Sequence, residues 1–448
     1  MGAIRNVAIL VLVISFFTFV AFFGRLPALR NTPIGALHRL IWLHIPATLR
    51  AWDQRVTQGR LSAWVMRQAH ILWNDRHPIV MGTSAHFSLF IPESSFSSGS
   101  AALPIFFILL LLVSEIMFLP PAWHMLSGSR KITGLILLSL PYIFLYTSAA
   151  RDPGYIGSDN HAQAMTLYPY DFTIFHPGQK CYTCNILKPA RSKHCSICKR
   201  CISKLDHHCI FINNCVGYNN QNHFLLLLFT TGVLTAYATY VGFSILSDEA
   251  RKEIPSWTFR GQGLTWFQFW YVWAWVLQEY TRIGAVTLLC LLTTPLIFGL
   301  LGYHVYLIWA GTTTNESMKW SDWEAEMADG FAFKCLLPAD REKDERIEPA
   351  WTRWPVESQQ LVSRTADGQP PRGPGGIGAG EWERVWRLAD VENLYDLGFW
   401  DNLADVFFPT KWFRARNEDN TRETGSRSFS AAETDALVQQ QIRLGATA

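Results

Sequence analysis

The chain has 448 residues, of which 49% are hydrophobic and 14% aromatic, and its formal net charge is +3. A charge so close to zero gives no reason to expect a nucleic-acid partner. Seven of the nine cysteines fall within the 35 residues from Cys181 to Cys215. A local cluster of this kind indicates a metal-binding segment and not the dispersed cysteines of a secreted disulfide framework.

Five apolar runs are long enough to cross a membrane, and they cover roughly residues 7–23, 103–120, 132–150, 224–246 and 283–310. These runs are apolar on all sides, which favours a polytopic membrane protein over buried helices of a soluble one. Glu115 is the charged exception, in the second run. An ionisable side chain at that depth indicates either a function or pairing with a neighbour such as Tyr146 or Thr147.

The orientation depends on whether the first run is a membrane span or a cleaved signal peptide. A signal peptide would place the cysteine cluster in an oxidising compartment, where free thiolates are at risk. As a span, the first run places residues 25–102 in the cytosol, and these carry eight arginines against three acids. Residues 151–222 carry eight Lys and Arg and face the same side. The positive-inside rule therefore predicts a lumenal N-terminus and a cytosolic cysteine cluster.

The predicted organisation alternates membrane and cytosolic parts. It comprises a transmembrane helix (1–24), a cytosolic loop with interfacial helices (25–102), two transmembrane helices (103–150), a cytosolic cysteine-rich domain (151–222), two transmembrane helices joined by an aromatic lumenal loop (223–310), a cytosolic C-terminal region (311–413) and a disordered tail (414–448). The polar composition of the tail gives it little to bury. The aromatic stretch at 264–280 is typical of a belt at the level of the lipid headgroups.

The cysteine cluster repeats with a period of fourteen residues. Two sets with the same spacing, each of three cysteines and one histidine, are interleaved: Cys181, Cys184, His194 and Cys201, then Cys195, Cys198, His208 and Cys215. Each set opens with a C-x2-C pair, a spacing that places two thiolates on one tetrahedral ion. Iron–sulfur ligation competes less well, because each set contains a histidine. The fold class predicted is an all-α polytopic membrane protein with a small cysteine-rich domain that binds two structural zinc ions.

His207 and Cys209 remain outside both sets, and Asp206 precedes them. A cysteine that is held beside a rigid metal site without coordinating the metal is a candidate nucleophile. The adjacent histidine can accept its proton, and the acid can orient that histidine. The alternative is that His207 and Cys209 are substitute ligands or packing residues.

At these residues the chain resembles the DHHC-type protein S-acyltransferases. The resemblance covers the core spans and the whole segment from KCYTCNILKPARSKHCSICKRCISK to LDHHCIFINNCVGYNNQNHF. Three outlying stretches agree with the family: Asp152-Pro153-Gly154 matches its DPG, Thr313-Thr314-Asn315-Glu316 its TTxE, and NLYDLGFWDNLADVF (393–407) its C-terminal Asn-aromatic segment.

The resemblance implies a two-step reaction in which Cys209 first takes a fatty acyl group from acyl-CoA, typically palmitoyl-CoA, as a thioester. Cys209 then passes the acyl group to a cysteine of a membrane protein. Family members use the residues at the positions of His207 and Asp206 as the base and its orienting partner. The basic side chains of Lys188, Arg191 and Lys193 are candidates for attracting the phosphates of CoA.

One departure from the family pattern is Ile210-Phe211, where most members have Pro-Trp or a similar pair after the reactive cysteine. Together with the extra N-terminal span, this resembles the fungal Swf-type branch. That resemblance implies the endoplasmic reticulum membrane, with SNARE proteins as substrates and their cytosolic juxtamembrane cysteines as acceptors.

Two rival functions remain open from the sequence. One is a non-catalytic, membrane-anchored zinc adaptor that recruits proteins, although such a module gives no reason for a spare His-x-Cys. The other is a silent scaffold that accepts the acyl group but cannot pass it on. Transfer of the acyl group to a second protein would distinguish the enzyme from this scaffold.

Overall fold

The computed structural model describes residues 20, 32–40, 102–338, 341–371, 379–410 and 413. The first predicted span (7–23) lies outside these residues except for Val20, and so do most of the first predicted loop and the predicted disordered tail. The described helices are α1 (Pro33–Arg39), α2 (Ala102–Ala122), α3 (Gly128–Ala150), α4 (His161–Met165), α5 (Gln221–Glu253), α6 (Trp266–Glu279), α7 (Thr281–Trp309), α8 (Thr314–Ala328) and α9 (Phe399–Phe407).

Four of these helices, α2, α3, α5 and α7, are long and apolar enough to cross a membrane. They coincide with the last four predicted spans, and α5 extends beyond its predicted limits at both ends. Helix α5 packs against both α3 and α7. Its contact with α7 is close at Gly242, where an added Cβ would lie 2.0 Å from Oγ1 of Thr287.

Glu115 on α2 faces the neighbouring helix α3, as expected of a carboxyl group at membrane depth. Its Oε1 accepts a hydrogen bond from the hydroxyl of Tyr142 at 2.6 Å. The predicted partners, Tyr146 and Thr147, were therefore wrong by about one helical turn. Tyr142 lies one turn earlier on α3, opposite the middle of α2.

The aromatic stretch after α5 forms the 14-residue helix α6, which is too short to cross a membrane. Its N-terminus carries a capping box between Thr265 and Gln268. One face packs into the bundle through Val272, Trp273 and Val276. The other face exposes a row of large aromatic side chains, namely Trp266, Phe267, Trp270 and Tyr271. The aromatic belt at the level of the lipid headgroups stays a prediction for this exposed face.

The cysteine-rich segment folds into short antiparallel strands: β1 (Tyr155–Ile156), β2 (Lys180–Cys181), β3 (Ile186–Leu187), β4 (Lys193–Cys195), β5 (Arg200–Ile202), β6 (His207–Cys209) and β7 (Asn214–Val216). Strands β2 and β3, β4 and β5, and β6 and β7 form three successive hairpins. Strand β1 follows α3 and pairs with β5, which attaches the second hairpin to the end of that helix.

The C-terminal region departs from the all-α prediction. Strands β8 (Ala332–Leu336), β9 (Gln360–Arg364) and β10 (Ala379–Arg384) form an antiparallel sheet in the order β10-β8-β9. In β8, the residues that alternate toward one side, Phe333 and Cys335, are both buried, which is the period-two pattern of a strand. The molecule is thus mostly helical, with small sheets in the cysteine-rich segment and in the C-terminal region.

Candidate active site and metal centres

The first cysteine–histidine set comes together as its spacing predicted. Nδ1 of His194 lies 3.5 Å from Sγ of Cys181, 3.3 Å from Sγ of Cys184 and 3.9 Å from Sγ of Cys201. Thiolate and imidazole ligands at zinc bond lengths of ~2.0–2.3 Å lie roughly 3.5–3.8 Å apart in a tetrahedron. The observed distances fit that arrangement, so the four residues can hold one metal ion.

The second set has the same geometry. Nδ1 of His208 lies 3.7 Å from Sγ of Cys195, 3.4 Å from Sγ of Cys198 and 3.5 Å from Sγ of Cys215. None of these cysteines forms a disulfide. Three thiolates and one imidazole around a single point are the donor set of a closed structural zinc site. Zinc in such sites contributes folding free energy and leaves no coordination position open for a substrate.

The three hairpins share one backbone register. The pairs that face each other across them, Cys181 with Ile186, Cys195 with Arg200 and Cys209 with Asn214, are spaced fourteen residues apart. Each turn also places a residue in the left-handed region, again at a spacing of fourteen: Asn185, Lys199 and Asn213, at φ values of 52°, 54° and 48°. The third hairpin therefore repeats the backbone of the other two, and Cys209 occupies the position of a leading zinc ligand.

The third hairpin is fixed to the membrane bundle by Asn214. Its side-chain amide donates to the backbone oxygens of Ser148, Ala149 and Arg151 at the end of α3, at 3.1–3.3 Å for the first two and 2.8 Å for the last. Cys209, which pairs with Asn214 across the hairpin, is consequently held at the end of the bundle. Its thiol is buried in an apolar cluster whose other members come from the hairpin and from α2, α3 and α5, among them Ile212, Phe107, Leu145 and Phe224.

His207 and Asp206 form the pair that the sequence predicted. Nδ1 of His207 lies 2.6 Å from Oδ2 of Asp206, and the other side of the ring interacts with Cys209. Burial lowers the pKa of His207, but the hydrogen bonds to Asp206 and Cys209 and their negative charges outweigh it and raise the pKa to about 10. Burial likewise opposes ionisation of Asp206, but His207 holds the pKa of that carboxyl well below its usual range.

Asp206 is oriented by the start of α8. Its Oδ1 accepts from the backbone N–H of Thr314 at 2.7 Å, and its Oδ2 accepts from the Thr314 hydroxyl at 3.0 Å. Thr313 caps the same helix in a capping box with Glu316. The TTxE-like motif therefore connects the C-terminal region directly to the acid of the site.

His304 is a site residue that the sequence analysis missed. It lies on α7 with 4% of its surface exposed, and its ring centroid is 5.7 Å from that of His207. Its Nδ1 lies 3.9 Å from Oδ2 of Asp206. A histidine within an otherwise apolar span was the available signal, of the same kind that singled out Glu115.

Arg191, predicted to contact CoA, is buried at 2% exposure. Its guanidinium forms a bidentate pair with Glu316, at 2.8 and 2.6 Å, and donates to the backbone oxygen of Gly311 at 3.2 Å. In this position it links the cysteine-rich segment to α8 and does not face solvent. Lys193 is exposed, and its Nζ donates to Oδ1 of Asn315 at 2.7 Å, whereas Lys188 is half-buried.

A second buried polar network lies beneath the cysteine-rich segment. Asp405 on α9 accepts from Nζ of Lys204 at 2.6 Å, from the hydroxyl of Tyr168 at 2.8 Å and from Arg353. Burial opposes the charge of Asp405, but Lys204 and Arg353 outweigh it and lower the pKa of Asp405. The C-terminal Asn-aromatic segment thus supplies a carboxylate that neutralises two cations from other parts of the chain.

The other two motifs of the predicted family also fix the segment in place. Oδ1 of Asp152 accepts from the backbone N–H groups of Gly154 and Tyr155, both at 2.8 Å, which forms the turn between α3 and β1. Gly154 has a φ of 103°, a conformation that favours glycine. The side-chain amide of Asn393 donates to the backbone oxygen of Ala310 at 2.8 Å, at the end of α7.

An apolar cavity of about 170 Å³ lies between α2, α3, α5 and α7. Phe107 lines it and also packs against the apolar cluster that contains Cys209, so this side chain connects the cavity to that cluster. Glu115 lines its middle part, and Arg130 and Lys131 line the part that the start of α3 contributes. An apolar space between membrane helices suits a hydrocarbon chain.

The cysteine-rich segment, the pairing of its ligands and the spare His-x-Cys define a class of protein. Residues 174–321 match the family model of the DHHC palmitoyltransferases. The chain belongs to this family and is a protein S-acyltransferase.

Relatives that match this chain along nearly their whole length identify the branch of the family that it resembles. It is 51% identical over 441 residues to Palmitoyltransferase SWF1 of Neurospora crassa, which covers 95% of this chain and 97% of the relative. It is 43% identical over 427 residues to Palmitoyltransferase swf1 of Emericella nidulans, with 91% and 97% covered. The protein of the same name from Schizosaccharomyces pombe is 31% identical over 401 residues, with 89% and 95% covered. The resemblance to the Swf-type branch is therefore confirmed.

Proposed function

We propose that Cys209 is the nucleophile of this acyltransferase, with His207 as its base and Asp206 as the group that orients the base. The observation that carries the proposal is that six of the seven clustered cysteines fall into the two ligand sets and Cys209 does not. Cys209 is also the cysteine whose neighbouring imidazole is paired with a buried carboxylate. This combination is the arrangement that activates a thiol for nucleophilic attack.

In the first step the thiolate of Cys209 attacks the thioester carbonyl of acyl-CoA. The bond between the carbonyl carbon and the CoA sulfur breaks, and the CoA thiolate leaves with the proton held on His207. In the second step the thiol of a substrate protein gives its proton to His207 and attacks the new thioester. Cys209 then leaves as a thiolate, which restores the starting state.

Palmitoyl-CoA suits the position of Cys209 as the acyl donor. The thiol lies in an apolar cluster to which α2, α3 and α5 contribute, and Phe107 of this cluster also lines the cavity between the membrane helices. The hydrocarbon chain would lie in the bilayer-embedded cavity while the CoA headgroup stays on the side of the cysteine-rich segment. Lys188 and Lys193 remain candidates for attracting the CoA phosphates, whereas the buried pair with Glu316 makes Arg191 a structural residue.

We further propose that the two cysteine–histidine sets hold zinc, and that the cysteine-rich segment faces the cytosol. The excess of basic residues in 25–102 and 151–222 supports this orientation. A reducing cytosol also keeps the thiolate ligands free of disulfides. The endoplasmic reticulum membrane and SNARE substrates with juxtamembrane cysteines belong to the same proposal, supported by the resemblance to the Swf-type branch.

The test is covalent labelling of the full-length protein in detergent with an acyl-CoA that carries a detectable chain. Wild type, Cys209→Ser and His207→Ala are compared, and bound zinc is counted in each. We expect label that neutral hydroxylamine removes, that is absent from Cys209→Ser and that requires the zinc-loaded protein. A zinc-loaded wild type that takes up no label would overturn the proposed mechanism.

The second step needs its own assay. The labelled enzyme is mixed with a membrane peptide that carries one cysteine beside its transmembrane segment, and a peptide with serine at that position is the matched control. Transfer to the cysteine peptide alone is expected. Label that stays on the enzyme would favour the silent-scaffold alternative.

A further inference from the structure

His304 is a buried histidine that the proposed reaction does not use. It lies on α7 where Phe224 packs edge-on against its ring at 5.3 Å and against the ring of His207, also at 5.3 Å. In the described part of the chain no hydrogen bond satisfies its ring nitrogens, and its Nδ1 lies 3.9 Å from Oδ2 of Asp206. Its ring nitrogens are therefore available to a ligand.

We propose that Asp206, His207 and His304 form a third metal site, separate from the two cysteine-rich sets, and that a zinc ion bound there inhibits the enzyme. One carboxylate and two imidazoles are a donor set that zinc accepts when a fourth position stays open. One ligand atom from each of the three residues lies within 4.8 Å of the others.

The geometry requires only small movements. Tetrahedral N and O ligands at ~2.0–2.2 Å from zinc lie about 3.3–3.5 Å apart. The contact between Asp206 and His207, now 2.6 Å, would lengthen, and the 3.9 Å between Asp206 and His304 would shorten. Both changes are below 1 Å, and the ligand atoms of His207 and His304, which lie within 4.8 Å of each other, would approach to the same range.

Burial and charge also suit a cation. The side chains of Asp206 and His304 are 1% and 5% exposed, whereas that of His207 is 29% exposed and provides an access route. The backbone N–H of Thr314 holds Asp206 through Oδ1, whereas Oδ2 lies toward both histidines and also accepts from the Thr314 hydroxyl. A divalent ion would displace the proton that His207 holds, and the carboxylate of Asp206 would then supply a full negative charge to the ion.

A metal at this site would stop the reaction because of where it binds on His207. It would occupy Nδ1, the atom that now bonds Asp206, so the ring would carry its remaining proton on the nitrogen facing Cys209. That nitrogen then donates and cannot accept a proton, and His207 no longer acts as the base. The inhibitory part of the inference rests on the role proposed above for His207; the existence of the site does not.

The first test counts metal and needs no activity. Full-length Cys209→Ser protein in detergent is equilibrated with Zn²⁺ alone at buffered free concentrations, and bound zinc is measured. We expect three zinc ions per chain in Cys209→Ser and two in Cys209→Ser/His304→Phe, where phenylalanine keeps the ring packing without the nitrogen. A count of two in Cys209→Ser, or of three in the double variant, would overturn the site.

A spectroscopic test on the wild type covers the case in which the double variant loses its two structural zinc ions. Co²⁺ is added to zinc-loaded protein, and the ultraviolet charge-transfer band of cobalt–thiolate bonds is followed. We expect the added equivalent to bind with weak visible bands and no thiolate band. A thiolate band would show that the ion binds at Cys209 or another cysteine, and the proposal would be wrong.

The third test addresses inhibition. Acyl labelling of the wild type is expected to be lost as the third zinc ion binds, and to return with a mild chelator that leaves two zinc ions per chain. If the third ion binds and labelling is unchanged, the metal site stands but inhibition through His207 fails. That outcome differs from failure of Cys209 labelling in metal-free buffer, which would contradict the proposed function itself.

Discussion

The first two hairpins of the cysteine-rich segment and the third have the same backbone but different chemistry. Each hairpin begins at a cysteine, and these three cysteines are fourteen residues apart. In each hairpin the cysteine pairs with the residue five positions later, and the turn contains one residue in the left-handed backbone conformation. In the first two hairpins the leading cysteine belongs to a ligand set. In the third, the positions that would complete a set hold Ile212, Asn222 and Phe229. Cys209 therefore has the rigid placement of a zinc ligand without partners for a metal.

This difference shows how a reactive thiol can be positioned. Ile212 occupies the position that the second cysteine of the C-x2-C pair has in the first two hairpins. Its side chain is 1% exposed and packs in the same apolar cluster as Cys209. Replacing a ligand by an apolar side chain removes the metal and keeps the packing. His208 from the same hairpin still joins the second ligand set, so the metal site fixes the strand that carries both His207 and Cys209.

The largest expected effect on acyl labelling comes from replacing Cys209, the leading cysteine of the third hairpin. Cys209→Ser should abolish acyl labelling, since a serine hydroxyl is far from ionised at neutral pH, and it should keep both structural zinc ions and an unchanged melting temperature. Metal analysis and thermal unfolding on the same preparation measure this. Loss of zinc from Cys209→Ser would contradict the assignment of Cys209 as a free thiol.

The next effect compares the two ligand sets. Cys195→Ser and Cys181→Ser should each lose one zinc ion, and the loss should destabilise the protein because the ion contributes folding free energy. Cys195→Ser should also lose nearly all labelling, because its set includes His208 on the strand of Cys209. Cys181→Ser should retain more. Equal residual labelling in the two variants would argue against a special link between the second set and the nucleophile.

Asp206→Asn should lower the labelling rate by roughly 10²–10⁴-fold, the range seen when the acid of such a group is neutralised. The carboxylate is one reason that the pKa of His207 is raised to about 10, so its removal should lower that pKa toward ~6.5. In the wild type the imidazolium of His207 therefore persists through neutral pH beside the thiol of Cys209.

The protonation of the His207 ring as a function of pH checks this sign. His207 should stay protonated up to about pH 10 in the wild type, whereas in Asp206→Asn it should lose its proton near pH ~6.5. Mass spectrometry of deuterium exchange at the ring carbon of His207, followed against pH, gives this profile for each protein. Parallel profiles for the two proteins would show that Asp206 does not act through His207.

A smaller effect is expected from a substitution that restores the C-x2-C pair in the third hairpin. Ile212→Cys recreates a C-x2-C pair with Cys209, and we expect labelling to become sensitive to added zinc, with recovery on chelation. Ile212→Val is the matched control, since it shortens the side chain without adding a ligand and should cost only ~0.5–1.5 kcal/mol of stability. Equal zinc sensitivity in both variants would mean that the third hairpin cannot hold a metal as the first two do.

The smallest expected effect concerns the support of Asp206. Thr314→Val removes the hydroxyl that donates to Oδ2 at 3.0 Å but keeps the backbone N–H that donates to Oδ1. Loss of one such bond costs about 1 kcal/mol, so labelling should fall by less than about tenfold. Thr312→Val, a nearby change that leaves Asp206 untouched, is the control. A decrease as large as that of Asp206→Asn would show that the hydroxyl matters more than this account allows.

The sequence predicted the part of the site that depends on local spacing. The ligand sets, the spare His207 and Cys209 and the position of Asp206 follow from a fourteen-residue period within one short segment. The last four membrane spans also follow, because a run of apolar residues is a local signal. The partner of Glu115 was missed by one turn, since the register between two helices depends on how they pack and not on either sequence alone.

Other features required the three-dimensional structure. His304 and Asp405 reach the site and the network beneath it from α7 and α9, about a hundred and two hundred residues away in the chain. The sheet β8–β10 pairs strands separated by long connections, which a pattern search for helices does not reveal. Arg191 was grouped with basic residues for CoA because its charge was visible in the sequence and its buried partner Glu316 was not.

The most direct test of the central claim is to locate the acyl group. Wild-type protein is exposed briefly to palmitoyl-CoA, digested at low pH to preserve thioesters and analysed by mass spectrometry across all seven clustered cysteines. We expect the acyl group on the peptide that contains Cys209, removable by hydroxylamine, and on none of the six ligand cysteines. An acyl group on Cys181, Cys195 or another ligand, with Cys209 unmodified, would contradict the account.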